Sequence, residues 1–137
     1  MHKINVLLVD DEYFNFEMLD ITLGDSFNIS YAKSGQSALS KVVSDKPDVL
    51  LLDVCMPGLD GYDTCRLIKN TPETSKIPII MLSGLENTED KSEAFKSGCD
   101  DYVTKPVNKN ELREKVQRLL GQVKRRTAER VAVKMPV

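Results

Sequence analysis

Polar or ionisable side chains directly follow four apolar runs of this sequence. Asp10 and Asp11 come after a run at residues 4–9, and Asp53 comes after a run at residues 49–52. Ser83 and Lys105 follow two later apolar runs in the same way. A shared position at the ends of apolar runs indicates that these side chains belong to one site.

The types of these side chains are suited to phosphoryl transfer. Three carboxylates gathered in one crevice repel one another, so they need a cation to offset their charge. Mg²⁺ fits this role because it prefers carboxylate oxygens and leaves coordination positions for water and phosphate. A lysine supplies a mobile positive charge for a phosphate oxygen, and a serine hydroxyl can donate a hydrogen bond to another. A nucleophilic oxygen, a metal and a cation around a spreading negative charge are the components that phosphoryl transfer requires.

Each of these residues also has an ordinary structural explanation. Asp11 could cap the first helix, and Asp53 could open the turn at residues 54–61. Ser83 could be a loop residue, and Lys105 could be a solvated surface lysine. The functional interpretation therefore rests on the agreement of all four run ends and not on any single residue.

The apolar runs themselves predict the strands that position these residues. They are rich in β-branched residues and nearly continuous in apolar character, as strands buried on both faces of a parallel sheet are. The predicted strands are residues 4–9, 28–32, 49–52, 77–82 and 102–104. Sites in open α/β sheets form beyond the carboxyl ends of the strands, where the four polar run ends would meet.

The segments between the runs have the period of helices. Phe14, Met18 and Ile21 fall on one stripe, which predicts a first helix with this stripe as its apolar face. The last helix is predicted to begin after Asn108, with Glu111 placed as in a capping box.

The segment at residues 88–97 is a weaker helix pattern. It offers only Ala94 and Phe95 as core residues among many charges, so we expect a loosely held, exposed helix there.

Five strands and five helices in strict alternation predict an α/β fold, a doubly wound parallel sheet with helices on both faces. A length of 137 residues, with 41% hydrophobic and 29% charged residues, suits one globular domain. The apolar stripe of the last helix fades after Gly121. We therefore expect a domain at residues 1–121, followed by a basic tail or linker helix at residues 122–137.

Composition narrows the classes of function. The net charge is −2, and residues 121–137 carry five basic residues against one acidic residue. The acidic body is not expected to bind nucleic acid directly. Three isolated cysteines and one histidine argue against a zinc site or a disulfide framework. Without a membrane-spanning run or a signal pattern, we expect a cytoplasmic protein without membrane contact.

The motifs at the run ends resemble the receiver domain of two-component response regulators. The resemblance covers about residues 3–120. It is carried by Val9-Asp10-Asp11-Glu12, by Leu52-Asp53-Val54-Cys55-Met56-Pro57-Gly58-Leu59-Asp60-Gly61-Tyr62, by Ile79-Ile80-Met81-Leu82-Ser83-Gly84 and by Gly98-Cys99-Asp100-Asp101-Tyr102-Val103-Thr104-Lys105-Pro106. It implies the flavodoxin-like strand order 2-1-3-4-5.

The resemblance implies a role for each site residue. Asp53 would accept a phosphoryl group from a phosphohistidine on a sensor histidine kinase or a histidine phosphotransfer protein. Asp11 and Asp53 would bind Mg²⁺ directly, Asp10 would bind it through water, and Cys55 would bind it through its backbone carbonyl. Lys105, aimed by a cis bond to the following proline, would pair with the phosphate.

The resemblance also implies a switch. Ser83 would move to hydrogen-bond the phosphate, and Tyr102 would turn inward behind it. The fourth helix, fifth strand and fifth helix would then signal to a downstream effector. Partner specificity is expected on the first helix, around Phe14, Asn15 and Met18. The protein is thus expected to be a signalling switch that catalyses its own phosphorylation and dephosphorylation, and not a conventional enzyme.

Several alternatives remain open from the sequence alone. The chain could be a stand-alone regulator, which we favour, or a receiver cut from a longer protein. It could also be an unphosphorylated scaffold or dimerisation module, although a scaffold would not need the acidic residues, serine and lysine. A haloacid-dehalogenase-like phosphatase is disfavoured because it needs an aspartate two residues after the nucleophile, where this chain has Cys55.

Overall fold

The computed structural model describes residues 3–84 and 88–134, with side chains described at residues 3–84 and 91–121. Strands and helices alternate along the whole of this described chain. In order they are β1 (Ile4–Val9), α1 (Tyr13–Leu23), β2 (Phe27–Ala32), α2 (Gly35–Asp45), β3 (Val49–Asp53), α3 (Gly61–Asn70), β4 (Ile79–Ser83), α4 (Thr88–Lys96), β5 (Asp101–Thr104) and α5 (Lys109–Lys134).

The five strands form one parallel sheet in the order β2-β1-β3-β4-β5. The order reverses between β1 and β3, so a crevice opens at the carboxyl ends of these two central strands. The predicted fold class and strand order are confirmed. Strand boundaries differ from the predicted ones by one or two residues, since β4 begins at Ile79 and β3 and β4 include Asp53 and Ser83.

Alternate residues of the central strands face two separate core layers. Leu50 and Leu52 of β3 face the layer under α2, α3 and α4, while Val49 and Leu51 face the layer under α1 and α5. All four side chains are at most 1% exposed. Burial of leucine side chains stabilises a fold by about 1.5–3 kcal/mol each. The buried apolar strands thus give the sheet a rigid carboxyl edge, and the site lies at this edge.

The predicted apolar face of α1 is wrong. Phe14, Met18 and Ile21 are 64%, 45% and 77% exposed, whereas Leu19 and Leu23 are buried against the sheet. Helical spacing could not decide between these faces because apolar residues lie on several sides of α1. The exposed stripe and the buried stripe have the same spacing pattern.

The predicted cap of the last helix is confirmed, since the Asn108 side chain accepts hydrogen bonds from the backbone N–H groups of Asn110 and Glu111, each at 3.0 Å. In α4, Ala94 is buried, but Phe95 is 51% exposed and is not a core residue as predicted. Neighbouring positions on a helix point about 100° apart, and in α4 the direction that faces the core is that of Ala94.

Helix α5 continues to Lys134, through the segment predicted as a basic tail or linker helix. The division of the chain at residue 121 stays a prediction. Within the described residues, no helix combines the length and the apolar character that a bilayer span requires.

Candidate functional site

The sheet brings the predicted polar residues to one edge. Asp53 is the last residue of β3 and lies opposite Leu82, while Ser83 is the last residue of β4 and lies opposite Thr104. Asp10 follows β1, and its backbone N–H donates to the carbonyl of Ala32 at 3.1 Å. The parallel register therefore places all the predicted chemistry at the carboxyl ends of four neighbouring strands.

Three carboxylates form the centre of this edge. Asp10, Asp11 and Asp53 each offer an oxygen atom, and these atoms lie within 4.8 Å of one another. Asp10 and Asp53 are only 1% and 5% exposed, whereas Asp11 is exposed. An all-oxygen donor set with one open side matches the coordination that Mg²⁺ prefers, with water or phosphate on the remaining positions. These residues could therefore hold a divalent cation.

The carboxylate of Asp10 is fixed by hydrogen bonds on both of its oxygens. Its Oδ1 accepts from the backbone N–H of Glu12 at 2.9 Å, and its Oδ2 accepts from the side-chain amide of Asn15 at 3.0 Å. Glu12 is the N-cap position of α1, but its own side chain makes no capping hydrogen bond. The start of the helix therefore orients Asp10 instead.

Lys105 directly follows β5, and its side chain extends into the acidic cluster. Its Nζ atom lies 3.1 Å from Oδ1 of Asp53 and 3.8 Å from Oδ2 of Asp10. Its backbone N–H donates to the carbonyl of Ser83 at 2.7 Å. The peptide bond to Pro106 is cis, as the resemblance implied. The lysine is thus placed to neutralise the acidic cluster.

Burial and charge act in opposite directions on this ion pair. Burial raises the pKa of Asp53 above its usual value, and Lys105 only partly offsets this effect. Burial also acts to lower the pKa of Lys105, but the carboxylates of Asp53 and Asp10 outweigh it and leave that pKa raised. The negative charge of the Asp53 carboxylate is therefore only partly compensated by Lys105. This favours a bound cation or a covalent partner at Asp53.

The other predicted site residues lie nearby in different settings. Ser83 is 2% exposed, and Tyr102 is buried in the core layer beneath α4 at 6% exposure. The Lys91 Nζ atom lies 5.9 Å from the centre of the Tyr102 ring. The Cys55 side chain is exposed, and its backbone N–H donates to the Asp53 carboxylate.

Two residues of the site were not recognised as such from the sequence. Asn15 was assigned only to partner contacts, yet it binds Asp10. Gly61, the first residue of α3, approaches β3 so closely that an added Cβ would lie 2.3 Å from the carbonyl oxygen of Asp53. A signal existed for Gly61, because glycine permits close backbone approach. For Asn15, a polar residue in the first turn of an apolar helix was the available signal.

The comparisons with known proteins agree with this geometry. Residues 6–117 match the family described as the response regulator receiver domain. The response regulator PleD of Caulobacter vibrioides is 38% identical over 104 residues, which cover 75% of this chain and 23% of PleD. The chain spans between about a quarter and about half of the length of the curated relatives it matches.

Solved structures give the same result. The signal receiver domain of a signal transduction histidine kinase from Syntrophus aciditrophicus has a TM-score of 0.81 and 34% identity, covering 88% of this chain and 92% of that one. The receiver domain of the sensor histidine kinase PA1611 from Pseudomonas aeruginosa, with a magnesium ion coordinated in its active site cleft, has a TM-score of 0.80 and 27% identity. That match covers 88% of this chain and 99% of that one.

Other curated relatives are named as DNA-binding response regulators. The expectation that this protein makes no direct contact with nucleic acid is therefore not supported. The matches over the fold and the acidic edge nevertheless all point to one family. The chain belongs to the response regulator receiver domains of two-component systems, which are signalling switches that are phosphorylated on an aspartate.

Proposed function

We propose that Asp53 is the phosphoryl acceptor of this receiver domain. One observation carries the proposal: the Asp53 side chain is 7% exposed, belongs to the three-aspartate cluster and pairs with Lys105 at 3.1 Å. Burial raises the pKa of the Asp53 carboxyl above its usual value. Binding of a cation or a phosphoryl group therefore relieves the cost of its buried charge.

The transfer itself is a displacement at phosphorus. An oxygen of the Asp53 carboxylate forms a bond to phosphorus while the bond from phosphorus to a donor imidazole nitrogen breaks, and the imidazole leaves with the electron pair. Lys105 moves from the carboxylate to an oxygen of the arriving phosphoryl group, and the Ser83 hydroxyl donates to another. Positioning of these groups at one rigid edge of the sheet and stabilisation of the developing charge together would accelerate the transfer.

Asp10, Asp11 and Asp53 would hold Mg²⁺, with the backbone carbonyl of Cys55 as a further ligand. When bound, Mg²⁺ would offset the charge of the carboxylates and of the phosphoryl oxygens. The exposed position of Asp11 supports entry of the cation from solvent, and the burial of Asp10 supports a fixed, less accessible ligand position.

The test uses a small phosphodonor, acetyl phosphate, and the intact mass of the protein. With Mg²⁺, we expect one phosphoryl adduct on the wild-type chain, and we expect none with EDTA or in Asp53→Asn. Beryllium fluoride, a phosphoryl mimic that does not turn over, serves as the control for rapid hydrolysis. Absence of both the adduct and mimic binding would contradict the proposal and leave an unphosphorylated scaffold as the function.

The exposed stripe of α1 supports the proposed docking of a histidine kinase or phosphotransfer protein. Phe14, Met18 and Ile21 present apolar side chains to solvent on the helix that begins at the acidic site. An apolar surface patch of this kind marks interaction sites. Ile21→Glu should slow phosphotransfer from a phosphohistidine protein but not from acetyl phosphate. Equal slowing with both donors would contradict the docking role.

The α4–β5–α5 surface is proposed as the output side of the switch. Ala94 is the buried apolar anchor of α4 among its described side chains, and Lys91 lies against the Tyr102 ring. Few apolar contacts leave α4 free to shift when Ser83 and Tyr102 rearrange. Hydrogen exchange should show α4 amides changing more than α2 amides on beryllium fluoride binding, and unchanged α4 exchange would contradict this role.

A further inference from the structure

Asn15 makes a contact that partner recognition does not require. It lies in the first turn of α1, is half-buried, and its Nδ2 donates to Oδ2 of Asp10 at 3.0 Å. An ionised carboxylate only accepts hydrogen bonds, so the amide must present its NH₂ group to Asp10. The side chain is thus turned towards the acidic cluster, whereas Phe14 and Met18 of the same helix are exposed.

The Oδ2 atom of Asp10 has two positively polarised neighbours. One is the Asn15 amide, and the other is the Lys105 Nζ atom at 3.8 Å. The other oxygen, Oδ1, is held by the backbone N–H of Glu12. Lys105 meanwhile lies closer to Asp53, at 3.1 Å. The direction in which Lys105 points therefore depends on what else satisfies Oδ2 of Asp10.

We propose that Asn15 is a positioning residue that fixes the Asp10 carboxylate for cation binding and leaves Lys105 directed at Asp53. Without the amide, Oδ2 of Asp10, a residue that is 1% exposed, keeps the Lys105 ammonium as its positively charged neighbour. A buried carboxylate that loses a donor strengthens its remaining ion pair, because an unsatisfied oxygen is costly there. Asp10 would then turn towards Lys105, and both the cation site and the Lys105–Asp53 pair would be disturbed.

The expected size of the effect follows from groups that orient metal ligands elsewhere. Loss of a side chain that orients the residues around a metal site costs about 10–100-fold in metal affinity or activity. Asp10 is buried and oriented by two donors, of which Asn15 is one, so a loss of about tenfold is expected here. The inference rests on the proposed Mg²⁺ site, and the experiment separates the two.

The experiment measures Mg²⁺ binding by titration calorimetry on the full chain, with MgCl₂ as the only ligand. Asn15→Leu has nearly the same size as the wild-type side chain but has no donor, and Asn15→Gln keeps the donor. The matched control is Thr22→Val, on the same helix, where the hydroxyl donates to the backbone carbonyls of Met18 and Leu19 and makes no contact with Asp10. Thermal unfolding of each variant verifies that it is folded.

Asn15→Leu is expected to weaken Mg²⁺ binding about tenfold, Asn15→Gln to recover part of that loss, and Thr22→Val to bind like wild type. The rate of acetyl phosphate labelling at saturating Mg²⁺ should also fall in Asn15→Leu, because Lys105 is diverted. Wild-type Mg²⁺ affinity in folded Asn15→Leu would overturn the inference. So would a defect confined to transfer from a phosphohistidine protein, which would make Asn15 a partner contact. A wild-type chain without any Mg²⁺ binding would overturn the proposed metal site as well.

Discussion

At the scale of single residues, the buried negative charge of Asp53 is unfavourable to the folded state. Burial raises the pKa of this carboxyl, and the pairing with Lys105 only partly compensates. A carboxyl whose pKa is raised by folding destabilises the native state at pH values above its folded pKa. That cost fades as the pH falls towards the unfolded value of about 3.9. The charge of the proposed acceptor therefore lowers stability in the absence of a cation.

Replacement of this charge should stabilise the protein without Mg²⁺. In EDTA at pH 7, Asp53→Asn is expected to unfold about 3 °C higher than wild type, the shift that about 1 kcal/mol produces in a domain of this size. The difference should shrink as the pH approaches 4 and when Mg²⁺ stabilises the wild type. Scanning calorimetry at several pH values measures it. A lower unfolding temperature for Asp53→Asn at pH 7 would contradict the argument.

The three thiols should differ in reactivity. Cys55 is exposed, whereas Cys65 and Cys99 are buried. Burial and the neighbouring Cys65 raise the pKa of Cys99 to about 12, and burial raises that of Cys65. At pH 8, Ellman's reagent should titrate one thiol at least tenfold faster than the other two, since the thiolate is the reactive form. Cys55→Ser should abolish the fast phase, and a fast phase that persists in that variant would refute the assignment.

At the scale of elements, sequence patterns predicted where strands end better than which way helices face. The ends of β1, β3, β4 and β5 could be predicted because apolar runs stop abruptly at polar residues. The apolar face of α1 could not, because Phe16, Leu19 and Leu23 have helical spacing as good as that of the exposed stripe. Only packing against the sheet distinguishes these faces, and that information lies in other parts of the chain.

The junction between β3 and α3 depends on a glycine. An added Cβ at Gly61 would lie 2.3 Å from the Asp53 carbonyl oxygen and 2.8 Å from the Val54 Cα atom. Because both are backbone atoms, the helix or the strand end must move. Gly61→Ala should destabilise the fold by about 2 kcal/mol, within the range for overpacking, and slow acetyl phosphate labelling of Asp53.

Gly121 provides the matched control within a helix. An added Cβ there meets none of the described atoms within 4 Å. Gly121→Ala should stabilise the protein by about 0.5–1 kcal/mol through helix propensity alone. Urea denaturation of both variants gives the comparison. Effects of opposite sign in the two variants would support the contact argument, whereas stabilisation by Gly61→Ala would contradict it.

At the scale of the whole molecule, the strand order β2-β1-β3-β4-β5 brings residues from separate parts of the sequence together in one site. Asp10, Asp53 and Lys105 are distant in sequence and meet only because their strands are parallel and adjacent. The sequence could predict this meeting, since alternating strands and helices imply a parallel sheet. It could not predict the contact of Asn15 with Asp10, which depends on how α1 sits on the sheet.

The extent of the folded domain can be tested by truncation. Among the side chains that the structure describes, the core layer under α1 and α5 ends at Leu119 and Leu120, and the other layer ends at Tyr102. Removal of residues 122–137 should therefore change the unfolding temperature by less than about 3 °C, a shift equivalent to roughly 1 kcal/mol. Acetyl phosphate labelling should also be retained. A large drop in the unfolding temperature, or a loss of acetyl phosphate labelling, would show that the end of α5 belongs to the domain.

Asp53 itself is proposed to carry the phosphoryl group. An acyl phosphate on aspartate is reduced by borohydride to homoserine, so treatment of the phosphorylated protein followed by peptide mass spectrometry marks the modified position. We expect homoserine at position 53 in samples with Mg²⁺ and acetyl phosphate, and an unmodified peptide in samples with EDTA. Homoserine at position 10 or 11, with Asp53 unmodified, would contradict the assignment of Asp53 as the acceptor.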